Sequence, residues 1–183
     1  MSSRNPGTAN LVLATLGEEP GMPGLTCTTG SFLAEAAAVC LAHCGHEEDS
    51  LLRVTGWKDI SYRVRRPPVG PQAIRSHADL QEATEHGACA VAILVARRMT
   101  GAQVLERSAK GTGFDYWIGD GESPRFLFTT RLEVSGILRG TPTDVERRAQ
   151  EKCQQTMRSD ATRLDALVCV VEFSGPLAKV IKR

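Results

Sequence analysis

The chain has almost no charge bias, with 22 Lys and Arg against 21 Asp and Glu and a formal net charge of +1. No global attraction to nucleic acid or to a membrane is built in, so any anion site has to be a local patch. Long apolar runs are also missing. The longest, 88–96, is far below the roughly 18 residues that cross a bilayer, and M-S-S-R-N-P-G-T-A-N has no apolar core of a secretory leader. A cytoplasmic protein without a membrane partner is expected. The six cysteines, at 27, 40, 44, 89, 153 and 169, show no C-x-x-C spacing. They read as small core hydrophobes in a reduced chain. No internal repeat is evident, and S-A-K-G-T-G at 108–113 lacks Walker spacing, which argues against a phosphate-loop enzyme.

What is present suits one domain, since 183 residues at 42% hydrophobic can bury one sizeable core. Leu11 to Leu16 reads as a buried strand, and the Pro- and Gly-rich loop after it stops that element. Thr28, Thr29 and Ser31 offer caps for an Ala-rich helix that ends at Gly45. Near its end, Cys40, His43, Cys44 and His46 carry two readings, a zinc cluster or core cysteines beside solvated histidines. Ser50 to Thr55 and Ile60 to Arg66 alternate around G-W-K-D as a hairpin, with Arg63 and Arg65 on one face. Together with Arg66 and Arg75 they form the densest basic stretch, which is either a phosphate contact or a solvated strand face. Pro67, Pro68, Gly70 and Pro71 mark a linker, and residues 1–70 read as a strand-helix-hairpin extension packed on a core of 71–183.

Ser76 opens a long helix with Asp79 in a capping-box position, ending at Gly101. Its second half is apolar around most of its circumference, whereas Glu82 and Glu85 sit on a polar first half facing a rim. Strands are expected at Ala102 to Arg107, Phe114 to Ile118 and within Arg125 to Ile137. Thr141 then caps a helix with Pro142 in its first turn, and Val145, Ala149, Cys153 and Met157 form its core stripe. Ala166 to Phe173 reads as a strand buried on both faces, followed by a basic tail of Lys179, Lys182 and Arg183.

From Ser76 the order is helix, three strands, helix, strand, with Asp115 on the second strand and Glu133 on the third. The local text is G-A-Q-V-L-E-R-S, then G-F-D-Y-W, then L-E-V-S. Over residues 76–175 this resembles the PD-(D/E)xK, restriction-endonuclease-like superfamily, and locally its small Holliday-junction-resolvase-like nucleases. Those run G-x-x-I-L-x-R-N, G-E-I-D-L and V-E-V-K. The resemblance implies an α/β fold with a central mixed sheet flanked by helices. It also implies Mg²⁺ held by Asp115 and Glu133 for cleavage of nucleic-acid phosphodiesters, because Mg²⁺ takes one or two carboxylates and keeps several waters. The family's lysine two residues beyond the glutamate is replaced here by Ser135, which carries no charge. The expectation is that Lys110, in the turn before Asp115, supplies that charge. Trp117 is expected on the face of Asp115, available to stack on a base, with Tyr116 on the packed side.

Read singly, Asp115 is a turn acid and Glu133 an exposed strand residue paired with Arg131. Two functions therefore stand side by side. One is a divalent-metal-dependent nuclease using Asp115, Glu133 and Lys110, with Trp117, Arg63, Arg65 and Arg66 on the substrate. The other is a catalytically degenerate nuclease-fold subunit that binds nucleic acid, a partner protein or further copies of itself in a larger complex. A small-molecule-binding α/β domain is a third class, for which the chain shows no glycine-rich fingerprint.

Overall fold

Eight strands form one mixed sheet in the order β1-β3-β2-β8-β7-β6-β5-β4, with four α-helices, in a computed structural model that describes residues 8–121 and 126–183. In chain order these are β1 (Asn10–Val12), α1 (Cys27–His43), β2 (Asp49–Gly56), β3 (Ile60–Arg65), α2 (Pro71–Ser76) and α3 (Leu80–Thr100). There follow β4 (Gln103–Arg107), β5 (Tyr116–Asp120), β6 (Leu127–Ile137), α4 (Pro142–Thr156), β7 (Asp165–Glu172) and β8 (Leu177–Lys182). The Arg125 end expected for the third strand of the core lies outside the described residues. Strands β4, β5 and β6 form an antiparallel meander, and β6 runs parallel to β7, the two being joined by α4.

The burial of β7 explains how the layers form. Leu167, Cys169 and Val171 point into the cluster that contains α3, while Val168 and Val170 point into the cluster with Val145 and Ala149 of α4. A strand covered on both faces has no polar face to show, hence its unbroken apolar text. Helix α3 packs on β6 and β7 on one side and on α1 on the other, so Ala88 to Ala96 are buried all round. The two helices approach closely through small residues: a Cβ on Gly87 would sit 2.8 Å from the Cα of Ala37.

Several boundaries differ from expectation, each for a local reason. After β1 the Leu11 to Leu16 run turns into a 3₁₀ helix at Leu13–Gly17, with the Thr15 hydroxyl donating to the Val12 carbonyl at 2.7 Å. Helix α1 begins one turn early, because Thr26 accepts from the Thr29 N–H. The long helix is capped by Asp79, whose Oδ1 accepts from Gln81 and Glu82, because Pro71 nucleates the separate short helix α2 over the segment that contains Ser76. Gly101 ends α3 at φ 77°, and Thr141 with Asp144 forms a reciprocal capping box on α4, as their sequences imply. The α4 stripe stops at Cys153; Met157 lies in the following 3₁₀ turn and is 57% exposed.

The basic tail is the largest correction. Residues 177–182 form β8, an interior strand between β7 and β2 that carries the N-terminal hairpin into the same sheet. Lys179 pairs with Glu146, Lys182 with Asp165 and Arg183 with Asp160, each at 2.9 Å. Their charges are consumed in holding β8 against α4 and the approach to β7. No helix among the described residues is long and apolar enough to cross a membrane.

Candidate active site

The site forms where β5 runs out. Pairing of β5 with β6 reaches Tyr116 opposite Leu132, and beyond that point β6 continues to Ile137 beside β7 only. The Asp115 N–H still donates to the Leu132 carbonyl at 2.8 Å, after which its side chain replaces the missing strand: Oδ2 accepts the Val134 N–H at 2.8 Å. A residue's N–H and C=O point to the same side of a strand, so the Val134 carbonyl also faces this broken edge. A register of two then places Glu133 and Ser135 on the α4 face.

Glu133 is only 2% exposed. Its Oε1 accepts from Lys152 Nζ at 2.7 Å and from Gln155 Nε2 at 3.0 Å, both on α4. Burial first, and then the Asp115 carboxylate beside it, push its carboxyl up to about 7, while Lys152 pulls in the opposite direction. One residue pair further along β6, Arg148 Nη1 donates to the Ser135 hydroxyl at 3.1 Å. Asp115 receives a cation as well, from Arg107 Nη2 to Oδ1 at 3.3 Å, and the same guanidinium lies 4.5 Å over the Tyr116 ring.

These groups open into a cleft of about 1090 Å³ between α4, the β5 entrance and the α1–α3 pair. Five cations line it (Arg107, Lys110, Arg148, Lys152 and Arg158) against three carboxylates, Glu85, Asp115 and Glu133. The cleft is therefore net positive although the chain is close to neutral, which is the local patch that an anion requires. On the far wall Phe32 is 44% exposed and stacks edge-on with His86, ring centroids 4.9 Å apart.

Asp115 and Glu133 are thus brought together, and Lys110 lines the same cleft, but the cation bonded to Glu133 is Lys152. Glu133 is neither exposed nor paired with Arg131. The Arg131 side chain turns instead to the Leu164 and Thr156 carbonyls, Ser159 and Asp160, closing the loop after α4. Tyr116 packs in the core as expected. Trp117 is absent from the cleft lining and is covered by Phe114 at 4.6 Å and Phe128 at 5.3 Å.

Arg63, Arg65 and Arg66 are not part of this site. Three strands separate β3 from β6, roughly 19 Å at about 4.8 Å per strand. Arg63 and Arg65 both pair with Asp49, and Arg66 donates to the His46 and Pro67 carbonyls. Around the α1 end, Cys40 lies beside the Thr84 hydroxyl, Cys44 donates to the Leu138 carbonyl, and His46 Nε2 bonds the Phe173 and Ser174 carbonyls. These residues hold α1 to α3 and to the β6 and β7 ends rather than converging on one point.

Lys152, Arg148 and Gln155 escaped notice because they lie on a different element from the motif, although a signal for them existed. They sit at i, i+4 and i+7 of α4, one row round from the stripe Val145, Ala149 and Cys153. A polar row bordering a core stripe skirts the sheet it packs on.

As a cation site, the donor set is two carboxylates and one backbone carbonyl. The Lys152 and Gln155 hydrogen bonds to Glu133 both fall on Oε1, and Asp115 Oδ1 faces an exposed arginine. Such a set suits Mg²⁺, a hard ion satisfied by one or two carboxylates and water, and not Zn²⁺, which needs three or four converging protein ligands. No group of three or more His, Cys, Asp or Glu side chains is placed to hold a metal among the described residues. Comparison with protein-family models, with curated proteins and with solved structures finds no match for the chain.

Proposed function

We propose that the chain is a divalent-metal-dependent phosphodiesterase acting on nucleic acid, with a restriction-endonuclease-like core running from α3 to β7. The observation that carries this reading is the pair of carboxylates at the broken edge of β6 with an ammonium bonded to one of them. Asp115, Glu133 and the Val134 carbonyl would hold Mg²⁺, which supplies charge neutralisation of the phosphate and an activated water. Lys152 takes the electrostatic role left open by Ser135: its ammonium sits at Glu133 and is partly exposed to the cleft, with 22% of the side chain accessible. Lys110, Arg148 and Arg158 line the same cleft and would hold phosphates there. Phe32 takes the base-stacking part expected of Trp117, which favours a substrate with an unpaired base.

A specific observation favours the degenerate alternative, a non-cleaving subunit that binds nucleic acid, a partner protein or another copy of itself. Arg148 occupies the Ser135 hydroxyl and Arg107 occupies Asp115, so each site acid or its neighbour already has a cation. Six free thiols, three of them buried, suit a reducing cytoplasmic setting under either reading. The two readings part in one experiment. Labelled single- and double-stranded DNA and RNA are incubated with Mg²⁺ or Mn²⁺, beside Asp115→Asn and Lys152→Met. Cleavage by the native chain and its loss in both variants supports the enzyme; identical behaviour of all three removes it. Salt-dependent retention without cleavage supports the binding subunit.

A further inference from the structure

Arg107 stands out in the cleft because it is committed to a group that the proposed reaction needs free. Its Nη2 bonds Asp115 Oδ1 at 3.3 Å, the only Asp115 oxygen not already taken by the Val134 N–H. The pair is loosely held, with the arginine side chain 58% exposed and the aspartate 25%. The Tyr116 ring, 4.5 Å from the guanidinium carbon, gives Arg107 a second support that does not depend on Asp115. An arginine anchored in that way can let go of the carboxylate and remain at the cleft mouth.

Resting on the nuclease reading, we propose that Arg107 is a substrate-binding residue that alternates between two anions. In the metal-free protein its guanidinium neutralises Asp115. With a divalent cation held by Asp115 and Glu133, Arg107 would be free of the carboxylate, still cradled on Tyr116, to bind a phosphate of the incoming nucleic-acid backbone through its paired N–H donors. No covalent bond is made or broken in this exchange; only the partner of the guanidinium changes. Metal binding and nucleic-acid binding are thereby coupled through one side chain, and the coupling is reciprocal.

The two halves predict changes of opposite sign in Arg107→Gln. Mg²⁺ affinity, read as the stabilisation of thermal unfolding across a Mg²⁺ titration, should tighten about two- to five-fold, because the competing exposed ion pair is gone. Binding of a labelled single-stranded phosphorothioate oligonucleotide, followed by fluorescence anisotropy with Mg²⁺ present, should weaken about tenfold. Its slope of log affinity against log salt should fall by about 0.7, the share of one phosphate contact on a single strand. Arg107→Lys should restore the slope and only part of the affinity. Unchanged Mg²⁺ affinity in Arg107→Gln, or an unchanged salt slope, overturns the exchange while leaving the nuclease reading intact. If native protein and variant both fail to respond to Mg²⁺ while Asp115→Asn behaves as they do, the nuclease reading falls and the exchange with it.

Discussion

Replacing Glu133 by Gln should make the protein more stable at neutral pH and leave it unchanged in acid. In the folded state burial, reinforced by Asp115, raises the Glu133 carboxyl from the ordinary 4.5 to about 7. Below about pH 4.5 the group is protonated in the folded and unfolded chains alike, so it imposes no penalty there. Between 4.5 and about 7 the unfolded chain ionises while the folded one holds its proton, and stability falls as pH rises. The full difference is ~3 kcal/mol, at about 1.4 kcal/mol per pH unit of displacement. Gln cannot ionise, fits the same space and keeps an oxygen for Lys152 and Gln155. Urea unfolding of both proteins from pH 4.5 to 8 should therefore show curves that coincide in acid and diverge by ~3 kcal/mol in favour of Gln. That gap is about 6 to 12 °C in melting temperature for a chain of this size. Saturating Mg²⁺ should close it from the native side, since a cation at the carboxylates restores the value of the ionised form, and should leave Glu133→Gln unmoved. Parallel pH profiles for the two proteins would refute the reasoning, because they would mean that Lys152 compensates the buried charge in full.

Lys152→Met should cost little at pH 5 and about 1 to 3 kcal/mol at pH 8, where Glu133 loses the donor to its ionised oxygen, as measured by the same unfolding titrations; any cleavage activity should vanish. Phe32→Ala should leave the melting temperature within about 2 °C, since the ring is 44% exposed. It should nevertheless weaken single-strand binding by about 1 to 3 kcal/mol while sparing fully paired duplex, in anisotropy titrations. Gly87→Val should destabilise by about 3 kcal/mol or more, because the new side chain meets the α1 backbone at Ala37, as circular dichroism melts would report. The double variant Arg63→Ala, Arg65→Ala should bind nucleic acid like the native chain and lose less than about 1 kcal/mol of stability, the worth of an exposed pair with Asp49.

Much of the fold was legible in local text because the signals were local. Thr141, Pro142 and Asp144 announce the start of α4 through bonds that span three residues, and Gly101 ends α3 through its own φ. The apolar runs of α3 and β7 state that each is covered on all sides, and the structure covers them with α1, the sheet and α4. Charge was misleading where it was consumed by distant partners. Lys179, Lys182 and Arg183 look like a basic tail until Glu146, Asp165 and Asp160 are placed beside them. Arg63 and Arg65 read as either a phosphate contact or a solvated strand face until Asp49 pairs with them across the hairpin.

The sequence by itself marked Asp115 and Glu133 and the two strands beside them, although β5 starts one residue after Asp115, because strand periodicity and spacing are properties of the chain's own geometry. Only the tertiary structure decided which cation serves them. Lys152 lies 19 residues beyond Glu133 on the crossover helix, and its approach depends on how α4 lies across β6 and β7, a packing angle set by Val145 and Ala149 against Val168 and Val170. It also decided that Asp115 caps the Val134 N–H at the point where β5 stops, since where a strand ends depends on its neighbour. The upward shift of the buried Glu133 carboxyl follows from both, because neither the low dielectric around a carboxyl nor a second carboxylate beside it exists until the strands and helix have closed.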